Sequence, residues 1–165
     1  MSQRSEILQR ARCRDIKTYN LDHQNDLIRP LVIIIDEYAD LVTVLPKKER
    51  EEFERVISRL AARGRNVGLH LVAATQRPTA DVVTGNIKAN MPCRISFSLP
   101  SSRDSLVILD EPGAERLLRN GDMLLRLEGP LTRLQGYYVD PKRIPELLSA
   151  FIDTPEPKPK KRPNK

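Results

Sequence analysis

With 165 residues, 39% hydrophobic and 30% charged, the chain suits one domain whose core needs no disulfides. Its formal net charge is +6, but residues 155–165 hold five Lys/Arg against one Glu, so the basicity belongs mainly to the tail and the body is close to balanced. An aromatic content of 4% without Trp argues against a base-stacking platform, and no apolar run approaches the roughly 20 residues of a membrane helix. The opening MSQRSEILQRARCRD lacks the apolar stretch of a signal peptide, and Cys13 and Cys93 show no metal-ligand spacing, so reduced thiols and a cytoplasmic location are expected.

Residues 3–13 place Ile7, Leu8 and Ala11 at helical spacing, and the polar segment 14–26 reads as a loop. After Arg29-Pro30 comes LVIII (31–35), an apolar run expected to be a buried parallel strand that ends in Asp36 and Glu37. Pro46 opens a helix with Phe53, Val56, Ile57 and Leu60 at i, i+3, i+4 and i+7, and Gly64 stands where a C-terminal cap belongs. The charges on its other side need no more than a solvated face. LHLVAAT (69–75) is a second apolar strand, running into TQRP (75–78), and a short helix is expected near 84–90.

Residues 93–99 alternate, with Cys93, Ile95, Phe97 and Leu99 on one face, and predict a strand. Short helices are expected over 101–109 and 113–119, then a hairpin of 122–127 with 132–139 around Glu128-Gly129-Pro130. A last helix from Pro141 to about Phe151 precedes a Pro/Lys tail with the composition of a linker. Strand–helix–strand–helix–strand order predicts a mostly parallel α/β sheet, and such sheets bind ligands beyond the carboxyl ends of their strands. Asp36, Glu37, Thr75 and Gln76 fall on that rim.

An acid ending such a strand can hold Mg²⁺ through water while the metal bridges phosphates, and the acid beside it, pointing elsewhere, can polarise an attacking water. Equally, an acid there can do no more than cap the next helix or loop. Thr75 and Gln76 suit sensing a γ-phosphate or orienting water, and Arg77 suits a phosphate or a neighbouring subunit; TQRP also fits an ordinary strand-end turn stopped by Pro78. His23 and His70 have no clustered partners in the sequence and read as structural. There is no G-x-S-x-G elbow, no H-E-x-x-H and no Cys quartet, so nucleophilic and zinc chemistry have no support.

Together the segments LVIIIDEYADL (31–41), RLAARGRNVGLHLVAATQRP (59–78), DVVTGNIKANMPCRISFSL (81–99), DSLVILD (104–110), GAERLL (113–118), GDML (121–124) and RLQGYYV (133–139) resemble the C-terminal part of the motor domain of FtsK/SpoIIIE-type DNA translocases. MSQRSEIL (1–8) and RDIKTYN (14–20) resemble the helix and loop before the Walker B strand of that family, so the likeness runs from Met1 to about Phe151. It implies a partial RecA-like P-loop NTPase core over 1–151 with a basic tail or linker over 152–165. It also implies an ATP- and Mg²⁺-dependent motor that assembles as a homo-hexameric ring on double-stranded DNA in chromosome segregation and cell division. Some full-length relatives are tethered to the inner membrane by an upstream domain, whereas this segment is expected to make no membrane contact. By the same resemblance Asp36 is the Mg²⁺-associated acid, Glu37 the catalytic carboxylate, and Thr75, Gln76 and Arg77 the strand-end sensor. Lys158, Lys160, Lys161 and Arg162 of the tail are candidate DNA contacts.

Two departures stand out. No G-x-x-x-x-G-K-[ST] occurs in the sequence; GNIK (85–88) lacks the pattern, so Met1 reads as internal to a longer motor and the isolated chain is expected to be inactive. Where the family has Asp-Ser-Arg, this chain has DSL (104–106), and Arg103 is the nearest basic residue that could act across a subunit boundary in place of Leu106. A ring ATPase for protein secretion or conjugative transfer, or a non-catalytic oligomerising or DNA-binding remnant, are the alternatives.

Overall fold

The computed structural model describes residues 1–152. The tail segment from 153 onward, with its four candidate DNA contacts, lies outside the described residues. Three hydrophobic clusters, sharing no buried residue, organise the fold.

The first forms where α1 (Ser2–Arg10) and α2 (Ile16–Asp22) bury Leu8 and Tyr19 against Val67. The loop predicted over 14–26 is thus in part a helix. Asp15, in extended backbone, caps it by accepting the Thr18 N–H at 2.8 Å. Tyr19 stacks on His23 with ring centroids 4.1 Å apart and donates its hydroxyl to Asp26 at 3.1 Å. A seven-residue helix that buries a single side chain leaves no apolar period to read.

The second cluster sits on the parallel strands β1 (Leu31–Ile35) and β2 (Leu69–Ala73), in register from Leu31 opposite Leu69 to Ile35 opposite Ala73. Between them run α3 (Tyr38–Thr43) and α4 (Lys47–Gly64), and α5 (Gly85–Asn90) follows β2. Tyr38, Ala39, Val42, Ile57, Val82 and Ile87 are buried here against Ile35, Phe53, Leu71 and Ala73. Gly64 is not the left-handed stop of α4: it keeps helical dihedrals, and a Cβ there would lie 3.0 Å from the Leu69 carbonyl oxygen. A 3-10 turn over Arg65–Val67 continues to Gly68, whose φ of +70° ends the helical path.

The burial expected of LVIII (31–35) does not hold, because the opposite face of this pair is open and Leu31 too is 48% exposed. Val32, Ile34 and Val72 are 56%, 70% and 50% exposed, although parallel strands are ordinarily covered on both faces. The third cluster, Leu109, Ala114 and Leu117, packs against an antiparallel sheet of order β3 (Arg94–Ser96), β4 (Asp122–Arg126), β5 (Thr132–Gln135). Its helix is α6 (Ser102–Leu109), and the helix predicted over 113–119 shrinks to a 3-10 turn at Ala114–Arg116.

The α/β class and the C-terminal hairpin are as expected, but the parallel part has two strands, because β3 pairs antiparallel with β4 instead of extending β1–β2. The strand expected over 93–99 shortens to Arg94–Ser96, and Ile95 and Phe97 are 49% and 56% exposed while Ser96 is buried and Leu99 packs on the third cluster. Alternation fixes which residues share a face and not which face meets the core. A 3-10 turn (Pro141–Arg143) leads into α7 (Ile144–Ile152).

Candidate active site

The carboxyl ends of β1 and β2 meet where the parallel rule places a site. Two backbone bonds carry the ladder past the strands: the Ala74 N–H donates to the Ile35 carbonyl at 2.8 Å, and the Tyr38 N–H to the Ala74 carbonyl at 2.7 Å. They bring Glu37 against the turn that begins at Thr75, a separation of 38 residues in sequence.

Glu37 is held from three sides. Its Oε1 accepts the Thr75 hydroxyl and, at 3.3 Å, the Ala39 N–H; its Oε2 accepts the Gln76 N–H at 2.8 Å. It is also the N-cap of α3, so the capping role and the rim position coexist in one side chain. The Thr75 hydroxyl, then the Gln76 amide, hold its carboxyl below the ordinary glutamate value, with smaller help from Ala39 and the Arg77 charge. A carboxylate offers about four acceptor positions, so one direction stays open, on Oε2.

Asp36, on the other side of the strand end, is exposed, and no side chain among the described residues pairs with it. Arg77 turns back toward α3: its guanidinium pairs with Asp40, and its N–H donates to the Thr75 hydroxyl at 3.1 Å. Asp40 escaped the sequence reading. Its signal was present, since Glu37 and Asp40 stand three residues apart at the start of a helix and therefore on one side of it. The structure thus gathers Glu37, Thr75, Gln76 and Arg77. Arg103 is placed elsewhere, exposed on α6, where it and the exposed Leu106 are three residues apart on one helical face.

Known proteins resemble this chain in sequence and in fold. The family model described as FtsK/SpoIIIE matches residues 1–80. A DNA translocase FtsK of Treponema pallidum is 48% identical over 156 residues, covering 90% of this chain. The chain carries an FtsK/SpoIIIE family segment. A further relative, the DNA translocase SftA of Bacillus subtilis, is 45% identical over 156 residues. The chain spans 19% and 16% of the lengths of these two relatives.

Among solved structures, the conjugation coupling protein TcpA of pCW3, in monomer form with ATPγS, superposes with a TM-score of 0.77 at 28% identity, covering 92% of this chain and 45% of that one. The cytoplasmic domain of the type VII secretion ATPase EccC of Thermomonospora curvata gives 0.68 at 25% identity, covering 83% and 16%. The RecA-like α/β core expected of an FtsK/SpoIIIE segment is therefore the fold observed. Among the described residues no helix is long and apolar enough to cross a membrane.

Proposed function

We propose that this chain is the Walker B and sensor half of an ATP-driven double-stranded DNA translocase motor, working in a homo-oligomeric ring. The observation that carries the reading is the bridging of Glu37, at the end of β1, to Thr75 and Gln76 at the end of β2. One catalytic acid and one strand-end sensor are thereby tied into a single unit, so displacement of the turn by a bound phosphate would be felt directly at Glu37.

Glu37 is the catalytic carboxylate of this proposal. Its three donors keep it ionised and leave one acceptor direction for a water. A carboxyl so stabilised is a weak base, and its contribution is to orient the water and to favour positive charge developing on it. Thr75 and Gln76 fix the direction of the carboxylate, and Asp40 keeps Arg77 at the rim. In a ring, Arg103 on its exposed helical face is available to a neighbouring subunit.

The residues present fit the expected magnesium in a restricted sense. Asp36 offers one exposed carboxylate, and no group of three or more His, Cys, Asp or Glu side chains among the described residues gathers to hold a metal. A magnesium ion characteristically takes one or two carboxylates and completes its shell with phosphate oxygens and water. Asp36 would hold it on those terms, and the ion supplies charge neutralisation at the phosphates when bound. The cradle for the phosphates themselves has no counterpart in this sequence, which contains no G-x-x-x-x-G-K-[ST]. ATP affinity of the 165-residue chain by itself is accordingly expected to be poor.

The DNA pump is preferred over secretion or conjugative transfer because the relatives named DNA translocases reach 45–48% identity, against 25–28% for the coupling protein and the secretion ATPase. The experiment is a segment exchange: this chain replaces the matching segment of B. subtilis SftA, and ATP hydrolysis is followed with and without double-stranded DNA. The expected result is DNA-stimulated turnover that Glu37→Gln lowers by about 10²–10⁴-fold. Turnover unchanged by Glu37→Gln overturns the assignment, and a folded exchange that hydrolyses nothing supports a non-catalytic remnant.

A further inference from the structure

Two motifs in the sequence, the one over 81–95 and DSLVILD (104–110), take no part in the site around Glu37. They meet each other instead. Lys88 Nζ lies 2.5 Å from Asp110 Oδ1, and Arg94 Nη1 lies 2.7 Å from Asp110 Oδ2. Lys88 comes from α5, in the half built on the parallel strands. Arg94 on β3 and Asp110, the left-handed C-cap of α6, belong to the antiparallel half.

That contact matters because little else among the described residues ties the halves together. The buried cluster of the parallel half and that of the antiparallel half have no member in common. The chain crosses between them through Met91-Pro92-Cys93, in neither helix nor strand. Each half therefore has its own buried packing, and the Lys88–Asp110 pair bridges the two.

The ion cluster is suited to set the angle between the halves. The Lys88 and Arg94 side chains are 24% and 16% exposed and that of Asp110 is 48% exposed, so the cluster is only half open to water and salt. Asp110 is anchored on its own side as well. The Arg126 guanidinium of β4 donates to the carbonyl of Leu109 at 3.0 and 2.7 Å and pairs with Glu111, so both neighbours of Asp110 are fixed to the sheet. With φ at +60°, the position favours the short polar side chains of Asp and Asn, and Asp110→Asn removes the charge while keeping the backbone.

We propose that Asp110 is a positioning residue, the joint that fixes the angle between the parallel half and the antiparallel half by holding Lys88 across the gap. Its consequence for turnover rests on the translocase reading, because α6, which Asp110 terminates, carries Arg103. The angle itself does not.

The test uses the full chain with Cys13→Ala and Cys93→Ser, spin-labelled at Glu52→Cys on α4 and Ser102→Cys on α6. The pulsed dipolar distance distribution is then recorded. The background chain is expected to give one narrow peak. Lys88→Met and Asp110→Asn should each lose it and give a broad distribution. A narrow peak at the same distance in Lys88→Met and Asp110→Asn overturns the proposal. Far-UV circular dichroism checks folding. If Asp110→Asn does not fold, Lys88→Met decides, because it leaves the Asp110–Arg94 pair intact and cuts only the bridge between halves. No nucleotide is involved, so failure here leaves the translocase reading standing, and an inactive segment exchange leaves the joint standing.

Discussion

Replacing Leu109 by alanine should loosen one half of the molecule and spare the other. Leu109 is wholly buried, grouped with Ala114 and Leu117 and packed against Leu99, Ile108, Leu124 and Leu131. The substitution removes three carbons, and at about 0.8 kcal/mol per buried methylene the lost transfer free energy is about 2.4 kcal/mol. The surrounding leucines can close the space only in part, and the residual cavity raises the cost to about 3–4 kcal/mol. The Leu109 carbonyl that receives Arg126 is untouched, so packing alone is perturbed. Since the antiparallel cluster shares no residue with that of the parallel half, the loss should stay local. Hydrogen exchange read by mass spectrometry along a urea series is the assay. Peptides covering β3, α6, β4 and β5 should lose protection, and those covering α4 and β2 should keep theirs. Equal loss in both halves would refute the picture of separate cores, and a cost under about 1 kcal/mol would refute the close packing of Leu109.

Thr75→Val removes the first of the donors that depress the Glu37 carboxyl, so its titration midpoint, followed by ¹³C NMR with Glu37→Gln as assignment control, should move up toward the ordinary 4.5. A depressed carboxyl stabilises the fold above its unfolded value and loses that contribution as pH falls through the folded one. The stability gap between Thr75→Val and the parent should thus be full at neutral pH and narrow below pH 4.5; an unmoved midpoint means that Thr75 does not hold Glu37. The open apolar face of β1, where Ile34 is 70% exposed, is expected to make the parent chain self-associate in sedimentation velocity, and Ile34→Lys should reduce that association. Association at the parent level would show that this face is not the contact.

Local patterns carried much of this. The run Leu31–Ile35 reads as a strand, and α4 as a helix by Phe53, Val56, Ile57 and Leu60 behind Pro46, although Val56 is 47% exposed. The rim residues Glu37, Thr75 and Gln76 were legible as well, because a parallel strand's carboxyl end is where chemistry is placed in such folds. The short pieces were not. α2 depends on one buried tyrosine and one aspartate cap, and Gly68 rather than Gly64 ends the helical path because Gly64 must let α4 approach Leu69.

The sequence by itself determined the α/β class, the strands that end at the site and the residue types on its rim, since all of these follow from periodicity and side-chain chemistry within a few residues. Only the tertiary structure decided that Glu37 is tied to Thr75 and Gln76 while Asp36 stays open, that Arg77 is held by Asp40, that β3 turns its apolar face outward to pair with β4, and that Lys88, Arg94 and Asp110 converge. Each of these is a contact between residues 16 to 39 positions apart, or a choice of which face meets the core, and neither is encoded in local spacing.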